Sequence, residues 1–108
     1  MGKHYILNLY GCEFNVLDDL EFLVQLLVDS ALLCGATILE RCSYKFQPQG
    51  VTAILLLAES HISIHTVPEK GEAYVDFYTC SVVDPIVGCQ NVVEKLLPSS
   101  HKLELIER

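Results

Sequence analysis

The run Val51-Thr52-Ala53-Ile54-Leu55-Leu56-Leu57 is apolar but for one threonine. It is far too short to span a bilayer, which takes about 20 residues. With Gln47-Pro48-Gln49-Gly50 before it and a polar segment after it, the run predicts a central strand. The rest of the chain then has to supply neighbours and a cover for a sheet.

The neighbours are legible. His4 to Tyr10, Ala36 to Phe46, His61 to Val67, Ala73 to Cys80 and His101 to Ile106 read as further strands. Pro68-Glu69-Lys70-Gly71 is a turn, so 61–67 and 73–80 form a hairpin. Leu17, Leu20, Phe22, Leu23, Leu26, Leu27 and Leu32 recur at helical spacing. They predict a helix of about four turns, with Asn15 as its N-cap and Gly35 just past its end. A second helix is expected to open at Asp84-Pro85 and to run to Pro98. Strands with two separated helices give an α+β fold. The expectation is a two-layer sandwich, an antiparallel sheet with two helices on one face, with residues 1–108 as a single domain. The other face would be a natural dimer surface.

Composition narrows the function classes. Half of the residues are hydrophobic (51%), but only 8% are aromatic, so the core has to be mainly aliphatic. Fourteen acidic against seven basic residues, a net charge of -7, argue against nucleic acid as a partner. Five cysteines without a C-x-x-C pair suggest free thiols in a reducing compartment. With neither a membrane span nor a signal-like start, the reading expects a cytoplasmic protein with no membrane partner.

The segment Glu59-Ser60-His61-Ile62-Ser63-Ile64-His65-Thr66 is polar and histidine-rich between apolar strands. Its ordinary reading is a strand with Ile62 and Ile64 facing inward and His61, Ser63 and His65 outward. A hydrolase triad of Ser60, His65 and Asp76 lacks the glycines of a nucleophile elbow. A metal site from His61, His65 and Cys80 would suit a helix better than a strand. If Thr66 pairs with Tyr74 in the hairpin, Ser60 lies opposite Cys80, with Cβ atoms about 5 Å apart. His65 has the opposite parity to Ser60 and sits about 16 Å along the strand.

With Cys80 twenty positions after Ser60, this octapeptide resembles that of the bacterial and archaeal S-adenosylmethionine decarboxylases. These are small pyruvoyl enzymes of polyamine synthesis. The likeness extends from Gly2-Lys3-His4 and Leu9-Tyr10-Gly11-Cys12 through Cys34-Gly35-Ala36-Thr37 and Phe46-Gln47-Pro48-Gln49-Gly50-Val51-Thr52 to Asp76-Phe77-Tyr78-Thr79-Cys80. It implies a precursor that cuts itself between Glu59 and Ser60 into chains 1–59 and 60–108. Ser60 attacks the Glu59 carbonyl, elimination severs the chain, and a pyruvoyl group remains at position 60. That ketone forms a Schiff base with the substrate amine and serves as the electron sink, so no metal or external cofactor is expected.

The same resemblance implies the other roles. His65 assists the elimination, Cys80 reprotonates the substrate carbon, and the Thr52 hydroxyl supports processing. Phe46 contacts the adenine, and Glu69 lies near the ribose. A homodimer with the active site near its interface is also implied. The chain departs from the family at Val67, where a Trp is usual, at Lys70-Gly71-Glu72 in place of Tyr-Gly-Tyr, at Tyr44 for His and at Ser81 for Gly. Val67 removes an adenine wall. Three readings therefore stand: an S-adenosylmethionine decarboxylase, an arginine or ornithine decarboxylase on the same scaffold, and a homologue that binds without cleaving.

Overall fold

In a computed structural model describing residues 2–108, eight-residue strand β1 (Lys3–Tyr10) leads into α1 (Phe14–Leu17) and α2 (Leu20–Leu33). Strands β2 (Ile38–Lys45), β3 (Val51–Leu57) and β4 (Ser60–Val67) follow. A single 3-10 turn at Pro68–Lys70 precedes β5 (Glu72–Thr79), then α3 (Ile86–Leu96) and β6 (Ser100–Glu107). All six strands join one antiparallel sheet in the order β2-β3-β4-β5-β1-β6. The apolar run 51–57 is β3, with the predicted bounds.

Strand alternation creates two unlike faces. Val51, Ala53, Leu55 and Leu57 of β3, Ile62 and Ile64 of β4, and Val75 and Phe77 of β5 are buried. They meet Leu23, Leu27 and Ala31 of α2 and Val92 and Leu96 of α3 in one core. Each fully buried aliphatic side chain contributes about 1.5–3 kcal/mol of transfer free energy. The expected two-layer α+β architecture is present, with the helices on this face. Among the described residues, the opposite face carries no helix.

The first helix differs from its prediction. It does not start at Asn15 and run through; it breaks at Asp18–Asp19 into α1 and α2. Asp19, not Asn15, caps α2, its Oδ1 accepting the Phe22 N–H at 3.1 Å. Asp18 is drawn away by the loop before β3, accepting the Gly50 N–H at 2.8 Å beside Lys45 Nζ at 2.9 Å. These contacts hold the carboxyl of Asp18 below the usual carboxylate range, with the Gly50 N–H as the chief cause. Gly35 ends α2 as expected. At φ +77 it donates to Leu32 O while Ala36 N–H reaches Ala31 O, a Schellman closure. Gly88 allows α3 its close seat, since a Cβ there would lie 2.8 Å from the Phe77 ring and 2.9 Å from Ser30 O.

The β4–β5 register also differs from the predicted one. Thr66 pairs with Ala73 and Ser60 with Thr79, one residue away from the expected pairing of Ser60 with Cys80. Burial decides it. Thr66, Ile64 and Ile62 face the helices, so they must pair with Ala73, Val75 and Phe77, which face the same way. A one-residue slip would bring the helix-facing row of one strand against the open-face row of the other.

Candidate active site

Strand β4 carries two groups of candidate residues, one at each end. At its start, a two-residue turn, Ala58-Glu59, joins β3 to β4, since Leu57 pairs directly with Ser60. Glu59 holds φ +59, a left-handed conformation that costs a residue with a Cβ about 1–2 kcal/mol. Backbone strain of this kind concentrates at functional sites. The Glu59 carbonyl points at Cys80, which lies just beyond β5. Cys80 Sγ approaches that oxygen at 2.9 Å, and the Cys80 N–H approaches it at 3.4 Å.

Ser60 follows on the helix-facing parity. Its Oγ donates to Thr79 Oγ1 at 3.0 Å, and Thr79 Oγ1 is in turn 2.9 Å from Ser81 Oγ. Cys80 thus reaches the Glu59 carbonyl, next to Ser60, from beyond the end of β5, and not through the expected cross-strand pairing with Ser60. The thiol of Cys80 is exposed, whereas burial pushes the Cys89 thiol up to about 12 and leaves it inert.

At the other end of β4, His65 faces the open side of the sheet. It pairs with Thr52 across β3, and His65 Nδ1 and Thr52 Oγ1 share a 2.6 Å hydrogen bond. Phe46, just after β2, sets its ring edge-on to the imidazole with centroids 6.2 Å apart. His65, Phe46, Val67 and Glu69 line one shallow cavity of about 270 Å³ with Gln49 and Gly50. The structure therefore gathers the expected substrate residues around His65. Tyr44, well exposed, packs edge-to-face on Phe46 at 4.9 Å.

Within one chain these two groups do not meet. Five residues of extended strand separate Ser60 from His65, about 16 Å, and their side chains leave opposite faces. Nor do Ser60, His65 and Asp76 form a triad: Asp76 accepts from Ser63 and faces His4 and His61. Sequence reasoning missed the left-handed turn at Glu59 and the Thr79 hydroxyl beside Ser60. It also missed the Asp18 clasp on Gly50 at the cavity wall. The first two could have been found from the two-residue spacing between β3 and β4 and from hairpin register. The clasp joins residues 32 positions apart and left no local signal.

The family profile described as S-adenosylmethionine decarboxylase matches residues 3–108. An S-adenosylmethionine decarboxylase proenzyme of Geobacillus sp. (strain WCH70) is 46% identical over 96 residues, 89% of this chain and 77% of that protein. The chain belongs to the S-adenosylmethionine decarboxylase family. The crystal structure of the adenosylmethionine decarboxylase from Aquifex aeolicus VF5 superposes with a TM-score of 0.92 at 35% identity. That match covers all of this chain and 90% of the other. A Trypanosoma brucei AdoMetDC monomer shares the fold, with a TM-score of 0.70 at 14% identity, over 95% of this chain and 45% of its own. Among the described residues, no helix is long and apolar enough to cross a membrane.

Proposed function

We propose that this chain is a self-cleaving S-adenosylmethionine decarboxylase precursor, cut between Glu59 and Ser60. By motif, the family's self-cleaving serine, its histidine and its cysteine correspond to Ser60, His65 and Cys80. The observation that carries the reading is the geometry at the Glu59 carbonyl, strained backbone on one side and two Cys80 donors on the other. Ser60 Oγ attacks that carbonyl carbon and loses its proton to a base. The C–N bond breaks, and an ester to Oγ replaces the amide. The Cys80 thiol and N–H stabilise the oxyanion that develops on Glu59 O during the attack. Loss of the Ser60 Cα proton then expels the Glu59 carboxylate from Cβ. Water hydrolyses the remaining enamine with release of ammonia and leaves a ketone at position 60. That pyruvoyl group supplies an electron sink for loss of CO2.

Cys80, already beside position 60, is the proton donor to the substrate carbon. His65 is the base, oriented by Thr52. A second copy that sets its His65 end against the first copy's Ser60 end places base and nucleophile together. Two-fold symmetry completes both sites at once. Phe46 and Tyr44 offer aromatic surface for the adenine, and Glu69 a carboxylate for the ribose, beside the smaller Val67. The names of the relatives support S-adenosylmethionine over arginine or ornithine as substrate. Mass measurement of the denatured protein tests the core of the reading. Two fragments, 1–59 and a blocked 60–108, are expected. A wild-type chain that stays whole, or a downstream fragment with a free amine, refutes it.

A further inference from the structure

On the open face of the sheet, opposite in parity to Ser60, three adjacent strands converge on one carboxylate. His4 of β1 and His61 of β4 flank β5, both paired with Tyr78, and lean toward Asp76 two residues along. His4 Nε2 is 2.8 Å and His61 Nε2 2.9 Å from the same Asp76 Oδ2. The three donor atoms lie within 4.8 Å of one another, all half-buried. Ser63 Oγ donates to the other oxygen, Oδ1, and so turns Oδ2 toward the two imidazoles. Two imidazole nitrogens and one oriented carboxylate oxygen form a ligand set for borderline divalent cations, and hard Mg2+ or Ca2+ prefer all-oxygen sites.

We infer that His4, His61 and Asp76 bind one divalent cation of the Zn2+ class. The cation takes the place of the two N–H···O contacts: each imidazole nitrogen moves about 0.5 Å farther from Oδ2, and the two imidazole nitrogens, within 4.8 Å, turn toward the shared cation. The proton of each neutral imidazole moves to Nδ1. Ser63 remains the orienting partner of the carboxylate, the outer-shell arrangement that metal sites require. Among the described residues, no acceptor faces His4 Nδ1 in the same way. That nitrogen faces Arg108 Nη1 at 3.3 Å, a donor that suits the metal-free tautomer and opposes the bound one. The site is therefore held below its full affinity by Arg108. The reading of Ser60 as nucleophile plays no part in this inference.

Titration of the full chain with Zn2+ by calorimetry, and with Co2+ by visible absorption, tests it. One equivalent per chain is expected, with a Co2+ spectrum lacking thiolate charge transfer. His61→Gln and Asp76→Asn should each weaken binding by about tenfold or more. Arg108→Gln offers His4 Nδ1–H an acceptor and should tighten binding several-fold, a gain that damaged folding cannot mimic. Unchanged affinity in His61→Gln overturns the site. So does weaker binding in Arg108→Gln, or a thiolate band that disappears when Cys42, an exposed free cysteine of β2, is changed by Cys42→Ser.

Discussion

The two ends of β4 are built on opposite principles. The Ser60 end is strained and local: a two-residue turn, a left-handed Glu59 and a thiol aimed at its carbonyl. The His65 end is relaxed and composite. Its imidazole is held by Thr52 from the neighbouring strand, beside an aromatic pair from the end of β2. Each end is incomplete in the respect in which the other is equipped. On the proposed reading, the Ser60 end has a nucleophile and carbonyl donors but needs a base, and the His65 end has that base and a cavity but no bond to cut. Strand parity keeps them apart in one chain, which is why the proposed reading has two copies sharing each site.

The sharpest break of that contrast comes from Ser60→Ala, which should abolish chain cutting altogether in intact-mass spectra. Next in size, His65→Asn should slow cleavage by about 10²–10⁴-fold while leaving the Glu59 turn unchanged. Mixing refolded Ser60→Ala and His65→Asn chains then separates shared from self-contained sites. Sharing predicts that cleavage returns in the His65→Asn chains alone, because their partners supply the imidazole. If neither chain is cut in the mixture, the two ends do not cooperate across copies.

Smaller effects refine each end. Val67→Trp should lower KM for S-adenosylmethionine by about tenfold, and Tyr44→Ala should raise it, from base stacking worth about 1–3 kcal/mol. Steady-state kinetics on the processed enzyme reads both. At the strained end, Glu59→Gly in the Ser60→Ala background should raise stability in denaturant by about 1 kcal/mol, since glycine accepts a positive φ without a Cβ clash. The smallest effect is pH-dependent. The folded Asp18 carboxyl lies below its ordinary 3.8, so its contribution is complete above that value and is lost as pH falls through the lower folded one. Asp18→Asn should flatten that acidic limb in melting curves.

Local pattern and motif account for much of the molecule. The strand bounds of β3, the Gly35 helix stop and the grouping of Phe46, Val67 and Glu69 are all legible in the amino-acid sequence. The break at Asp18–Asp19 is not. Asp18 is an adequate first-turn residue by propensity, and only Gly50, 32 positions on, recruits its side chain. Nor is the meeting of His4 with Asp76, 72 positions apart, where β1 enters beside β5.

The amino-acid sequence alone determined which side chains share a face, because alternation along a strand is local geometry. It also supplied the serine, cysteine and histidine of the motif. Tertiary structure decided what those side chains touch. The β4–β5 register moved Ser60 from Cys80 to Thr79 because buried rows must meet buried rows. The insertion of β1 between β5 and β6 brought His4 to Asp76, opposite the His61 that the β4–β5 pairing supplies. Such choices depend on burial summed over the whole sheet, and no single segment contains that sum.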